Sequence, residues 1–171
     1  LKKIGLLIIV ILLIGCSSSR KMNKIKSQID CNKTIHIVWD ESSNLIRIES
    51  IGTYKNGYAS FTKGKKLDYK KTFKKSLEEL NKKYNTKFIF RESHGFPSDS
   101  VIQVTIKIDQ IVWNKGFRNA TMDNYLTYQT TEKNIQITGR SKAQSYARAG
   151  KSLLQSFEHG NLLFLQAFCE N

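Results

Sequence analysis

Val101-Ile102-Gln103-Val104-Thr105-Ile106-Lys107-Ile108-Asp109 is the stretch that decides the fold. Ile102, Val104, Ile106 and Ile108 fall on one side; Gln103, Thr105, Lys107 and Asp109 fall on the other. Unbroken alternation of this kind makes a strand that covers a core with one face and meets water with the other. The phase slips at Gln110, before Ile111, Val112 and Trp113, which predicts a bulge. Asn114-Lys115-Gly116 reads as a turn, and Ala120 to Thr130 as the partner strand, with Met122, Leu126 and Tyr128 in phase. After a second turn at Thr131 to Asn134, Ile135 and Ile137 mark another strand ending at Gly139. Three such strands predict an antiparallel meander.

Helical periodicity flanks the meander. On the C-terminal side Ser141 is a candidate cap for a helix to His159, with Ala143, Tyr146, Ala147, Gly150, Leu153, Leu154 and Phe157 on one face and Gly160 as its stop. Leu162 to Phe168 is a further apolar run that periodicity leaves open between strand and short helix. On the N-terminal side Asp68 caps a helix to Tyr84, with Tyr69, Phe73, Leu77, Leu80 and Tyr84 as the apolar stripe. Its other face carries Lys70, Lys71, Lys74, Lys75, Lys82 and Lys83, with Glu78 and Glu79 four residues before Lys82 and Lys83. A short strand follows at Lys87 to Phe90, then a loop from Ser93 to Ser100 that holds His94, Gly95, Phe96 and the single proline, Pro97. Further upstream, Thr34 to Trp39 and Leu45 to Ile51 alternate on either side of Asp40-Glu41-Ser42-Ser43-Asn44 and predict a hairpin. The elements together predict an α+β domain: a mostly antiparallel sheet with two amphipathic helices packed on one face.

The first sixteen residues have a different character. Lys2 and Lys3 precede an apolar run from Ile4 to Ile14, too short to span a bilayer, which needs about 20 apolar residues. The run ends in Leu13-Ile14-Gly15-Cys16. This ending resembles the lipobox of bacterial lipoproteins. The resemblance implies cleavage before Cys16, a diacylglycerol thioether on its sulfur and an acyl chain such as palmitate on the freed amine. Several chains would hold the protein on a membrane firmly, where one chain binds only marginally. Ser17 follows with no Asp beside it; by resemblance to lipoprotein sorting rules this implies the outer membrane, facing the periplasm. The expected organisation is a signal peptide over 1–15, a lipidated tether over 16–33 and one domain over 34–171.

Export reshapes the meaning of the charge. The chain carries a formal net charge of +14, which in the cytosol would suggest nucleic acid. Outside the cytosol the polyanions within reach are lipid head groups, lipopolysaccharide phosphates and cell-wall polymers, so no nucleic-acid partner is expected. The plain alternative is that the lysines only solvate the surface. With Cys16 taken by lipid, Cys31 and Cys169 remain in a compartment that permits disulfides. They either pair, closing a long loop worth about 4–5 kcal/mol in the chain-entropy picture, or stay as separate thiols.

Catalytic signatures are sparse. His36, His94 and His159 stand alone, with no HxH, HExxH or CxxC spacing. Neither a GxSxG elbow nor a phosphate-binding glycine loop is present. The reading is therefore noncatalytic, without metal or cofactor. From Leu45 to His159 the element order is similar to the βαβββα lipoproteins of the bacterial envelope. These include the lipopolysaccharide-assembly translocon lipoprotein, auxiliary lipoproteins of ABC-type envelope transporters and the periplasmic domain of the curli-secretion lipoprotein. The resemblance implies a membrane-tethered accessory or binding subunit of an envelope transport or assembly complex, with an envelope protein as partner. Phe96, Trp113, Phe117 and Arg118 are the candidate partner contacts. The alternative is direct binding of an anionic envelope ligand: lipopolysaccharide, phospholipid or cell-wall polymer.

Overall fold

The computed structural model describes residues 34–52, 67–95, 100–145 and 148–169. In chain order these form β1 (Thr34–Trp39), a 3-10 turn (Glu41–Leu45), β2 (Ile48–Gly52), α1 (Tyr69–Tyr84), β3 (Phe88–Arg91), β4 (Val101–Lys115), β5 (Ala120–Gln129), β6 (Asn134–Arg140) and α2 (Ala149–Cys169). The fold is α+β. Its six-stranded mixed sheet runs β3-β1-β4-β5-β6, with β2 also paired to β4.

β4 is the spine. Its antiparallel pairs with β5 and then β6 make the expected meander. The register shifts between Ile108 and Gln110, where the phase slip predicted a bulge. One extra residue, Asp109, lets Ile108 and Ile111 both face the core, so alternation resumes on the correct side.

The first two strands do not form the expected hairpin. β1 runs parallel to β4 over Thr34↔Val101 to Trp39↔Ile106, and β2 runs parallel to it over Ile48↔Ile111 to Gly52↔Lys115. They lie end to end along one edge of β4. Asp40 Oδ1 accepts from the Ser42 amide at 2.9 Å, and the chain makes a 3-10 turn that advances instead of reversing. Ser43 fills the gap between the strands. Its buried Oγ accepts from the Ile108 amide at 2.9 Å, a donor that neither strand reaches. β3 then pairs parallel to the other edge of β1.

α1 begins and ends as its sequence implies. Asp68 Oδ1 accepts from the Lys71 amide at 2.9 Å, and Asn85 takes the left-handed conformation (φ 53°) at the C-terminal end. Asn81 ties the helix to β3, donating to the Phe88 carbonyl at 2.8 Å and accepting from the Phe88 amide at 3.0 Å. Glu79 and Lys83 form the expected i,i+4 ion pair at 3.9 Å, and Lys83 also reaches Glu158 of α2 at 3.2 Å.

α2 differs from expectation at both ends. Ser141 does not cap it: Ser141 Oγ accepts from the Met122 amide at 2.8 Å, and Gln144 bridges to Ala120 through paired backbone bonds. The chain after β6 thus stays extended beside β5, and the helix starts at Ala149. It continues through Gly160 to Cys169 as one helix, which also settles the Leu162–Phe168 run. Glycine costs a helix interior about 1 kcal/mol, whereas burying Leu162, Phe164 and Leu165 gains about 1.5–3 kcal/mol for each side chain.

Gly160 has a packing role. A Cβ on Gly139 of β6 would sit 2.1 Å from the Ser156 carbonyl oxygen and 2.9 Å from the Gly160 nitrogen. Helix and sheet therefore meet backbone to backbone. Around this contact α2 covers β5 and β6, with Phe164 stacked on Tyr128 at 4.2 Å between centroids. α1 lies beside α2: Phe73 meets Phe157 edge-on at 5.3 Å and reaches Trp39 of β1 at 5.5 Å. A buried polar seam joins β5 and the two helices. Tyr128 donates to Asn161 Oδ1 at 2.9 Å, and Asn161 donates to Ser76 Oγ of α1 at 3.0 Å.

Candidate functional site

With both helices on one side, the other face of the sheet is left for binding. The predicted contact residues are not gathered there. Trp113 is 1 % exposed and belongs to the core. The bulge explains this correction, because it re-phases β4 so that Ile111 and Trp113 follow Ile108 toward the helices. The Lys115 ammonium lies 5.4 Å from its ring centroid. Phe117 is 71 % exposed at the β4–β5 turn, with the Arg118 guanidinium 6.0 Å from its ring. Phe96, Cys16 and Cys31 lie outside the described residues. Cys169 is the last residue of α2 and is disulfide-bonded.

Near Phe117 the end of the sheet is apolar and cationic. Ile51, 55 % exposed, pairs with Asn114 just before the turn. Asn114 donates to Asp123 Oδ2 at 2.9 Å, and Arg140 holds the same carboxylate through Nε at 2.7 Å and Nη2 at 2.8 Å. Asp123 is only 3 % exposed, so the paired guanidinium and the amide replace its lost water. This hydrogen bond raises the Arg140 pKa. His159 of α2 accepts from the Arg140 amide at 3.0 Å; burial and then the Arg140 charge hold its pKa below the ordinary value.

The middle of the face is a shallow acidic depression of about 500 Å³ at the bulge, lined by Glu49, Asp109, Gln110, Tyr125, Gln136 and Thr138. Its carboxylates already have partners. Glu49 accepts from Gln110 at 2.9 Å; Asp109 accepts from Thr127 and pairs with Lys107 at 3.3 Å.

The far end, where β3, β1 and the start of β4 meet, holds a second concavity of about 540 Å³. It is lined by His36, Arg91, Glu92, Ser93, His94, Gly95 and Val101. The parallel register builds it. His36 lies between Ile89 and Gln103, and one step on, Arg91 and Thr105 flank Val38. His94 folds back onto β4, with Nδ1 3.2 Å from Gln103 Oε1 and Nε2 2.9 Å from Thr105 Oγ1, while Gln103 donates to the Gly95 carbonyl at 2.7 Å. Burial first, and the Arg91 charge second, lower the His36 pKa. Glu92 is drawn away to Lys70 at 2.9 Å. Sequence reasoning missed this group because each histidine stands alone in the chain. The one available signal was the position of His36 on the polar side of an alternating strand.

Among the described residues no cluster of three or more His, Cys, Asp or Glu side chains is placed to hold a metal ion, and no helix is long and apolar enough to cross a membrane.

No protein-family model matches the chain, and no curated protein matches it. Among solved structures, a Helicobacter pylori protein described as a homolog of a neuraminyllactose-binding hemagglutinin is similar at 14% identity, covering 79% of this chain and 82% of its own, with a TM-score of 0.33. An uncharacterized protein is similar at 6% identity, covering 81% of this chain and 91% of its own, with a TM-score of 0.30. Likenesses at these TM-scores carry no weight for fold or function.

Proposed function

We propose that this protein is a noncatalytic lipoprotein, tethered through Cys16, that serves as an accessory or binding subunit of a cell-envelope transport or assembly complex. The observation that carries the reading is the β4–β5 turn. Phe117 projects from the longest hairpin of the sheet at 71 % exposure, beside Arg118 and near the exposed Ile51. Aromatic and arginine side chains of this kind are the usual anchors of protein interfaces. The lipobox resemblance at Leu13–Cys16 supplies the tether.

The test is gentle detergent extraction of the tagged full-length protein, with quantitative mass spectrometry of what co-purifies, for wild type and for Phe117→Ser. A membrane protein recovered near stoichiometry with wild type and reduced roughly 30-fold in affinity by Phe117→Ser supports the proposal. Equal recovery with both proteins removes this turn as the contact.

A second reading is direct binding of an anionic envelope ligand. Its support is the formal +14 charge and the exposed Lys71, Lys74, Lys75, Lys82 and Lys83 of α1. Such binding weakens with added salt.

A further inference from the structure

We propose that the concavity between β3, β1 and β4 is a binding site for a phosphate monoester group, held by Arg91 and His36 with His94 as a further wall. The proposal rests on the second reading above and gives it a site and a ligand chemistry.

Three observations carry it. The Arg91 guanidinium has no hydrogen bond or ion pair among the described residues, although it lines a concavity of about 540 Å³. An unpaired guanidinium offers a fork of N–H donors suited to phosphate oxygens. His36 and Ser93 line the same hollow, and their side chains can add an imidazole and a hydroxyl donor to the guanidinium. Among the described lining residues the only carboxylate is Glu92, which shares the Lys70 ammonium with Glu41, each at 2.9 Å.

The third observation concerns His94. Its Nδ1 lies 3.2 Å from Gln103 Oε1 and its Nε2 2.9 Å from Thr105 Oγ1, so the ring is fixed as a wall of the hollow. The groups facing the hollow are His36 from β1, Arg91 from β3, Glu92, Ser93 and His94 from the β3–β4 connection, and Val101 from β4. Behind His94 are the neutral Gln103 and Thr105, and Lys107 is the next cation on the same side of β4. An anion seated among these groups favours the imidazolium forms. A phosphate monoester also gains a proton near pH 6, so the histidine contribution is read as the difference in pH dependence between wild type and His36→Gln.

The probes are inorganic phosphate, followed by calorimetry, and phosphatidylcholine vesicles doped with phosphatidic acid, followed by flotation. Each is run with the full chain at about pH 7.5 and about pH 5.5. The expected result is binding at both pH values, weakened about tenfold or more by Arg91→Gln, with a pH dependence that His36→Gln alters. Lys74→Gln with Lys75→Gln tests the α1 lysine face as the competing site. Arg91 is exposed, so its variant should fold, and circular dichroism checks this. Inorganic phosphate that binds and competes the vesicles away supports the site with free phosphate as ligand. Vesicle binding that needs Arg91 but ignores inorganic phosphate supports it with a lipid-borne monoester. Vesicle binding lost in the α1 lysine variant and retained in Arg91→Gln overturns the proposal and leaves the second reading standing. No binding to either probe, or none that depends on Arg91, also overturns it.

Discussion

Replacing Gly139 by alanine should destabilise the domain far more than the same change at Gly160, although the two glycines touch. At Gly139 the new Cβ would lie 2.1 Å from the Ser156 carbonyl oxygen and 2.9 Å from the Gly160 nitrogen. Both obstacles are backbone of α2, so relief requires the helix to move off the sheet. Overpacking typically costs about 1–3 kcal/mol, and the lower freedom of the unfolded alanine chain returns only about 0.4–1 kcal/mol. Because both obstacles are backbone, the expected net loss for Gly139→Ala lies at the upper end of that difference, about 2 kcal/mol, or roughly 4–8 °C in Tm for a domain of this size. At Gly160 the main obstacle is the Leu126 Cδ1 methyl at 2.6 Å, which a side-chain rotation can displace. Alanine there also gains about 0.8–1.0 kcal/mol of helix propensity. Gly160→Ala should stay within about 1 kcal/mol of wild type. Urea unfolding followed by tryptophan fluorescence and far-ultraviolet circular dichroism measures both. A Gly139→Ala midpoint equal to wild type, or equal losses at the two sites, would refute the backbone-contact argument.

Three further outcomes follow from the packing and the charges. Asn161→Ala should cost about 2–4 kcal/mol, because it orphans the buried Tyr128 hydroxyl; adding Tyr128→Phe should then cost less than it does alone, and strict additivity in urea melts would count against the seam. The folded chain holds His159 below its ordinary 6.5, so the unfolded chain takes up more protons there; stability should be full above about pH 6.5 and decline as pH falls below it. His159→Asn, which keeps an acceptor for the Arg140 amide, should make that decline shallower, and urea midpoints with identical pH slopes would contradict the assignment. If Cys31 is the partner of Cys169, peptide mapping without reductant yields one peptide pair joining them, and Cys31→Ser lowers stability by about 4 kcal/mol; a Cys16–Cys169 peptide, or an unshifted midpoint, would defeat this pairing.

The parts of the fold that were legible in the sequence are those governed by local chemistry. Period-two alternation placed β4, the slip at Gln110 placed its bulge, and Asp68 with the Phe73–Leu77–Leu80 stripe placed α1. What was not legible depends on distant partners. Whether Asp40–Asn44 reverses the chain or advances it depends on Ser43 finding the Ile108 amide 65 residues away. Whether Gly160 ends a helix depends on Gly139 lying beneath it, since the same residue is a stop when exposed and a contact when buried. The surface followed the same division. Phe117 at a turn was readable as exposed, whereas Trp113 was misplaced because the bulge was not carried through to the residues beyond it. The Arg91, His36 and His94 group is assembled entirely by parallel strand pairing, which no local pattern encodes.

The end-to-end seating of β1 and β2 on β4 also sets a distance. β4 has 15 residues, which at about 3.3 Å per residue span roughly 45–50 Å. The chain enters the sheet at Thr34, opposite Val101, and the Phe117 turn follows Lys115 at the other end of the same strand. A lipid on Cys16 would therefore pull on the end that carries Arg91 and His36. The aromatic tip would then stand as far from that point of attachment as the strand is long. One ladder would then hold the cationic hollow and the hydrophobic contact apart by the length of the strand. Shortening β4 by a two-residue deletion paired with one in β5 would preserve side-chain facing while lowering that tip by about 7 Å.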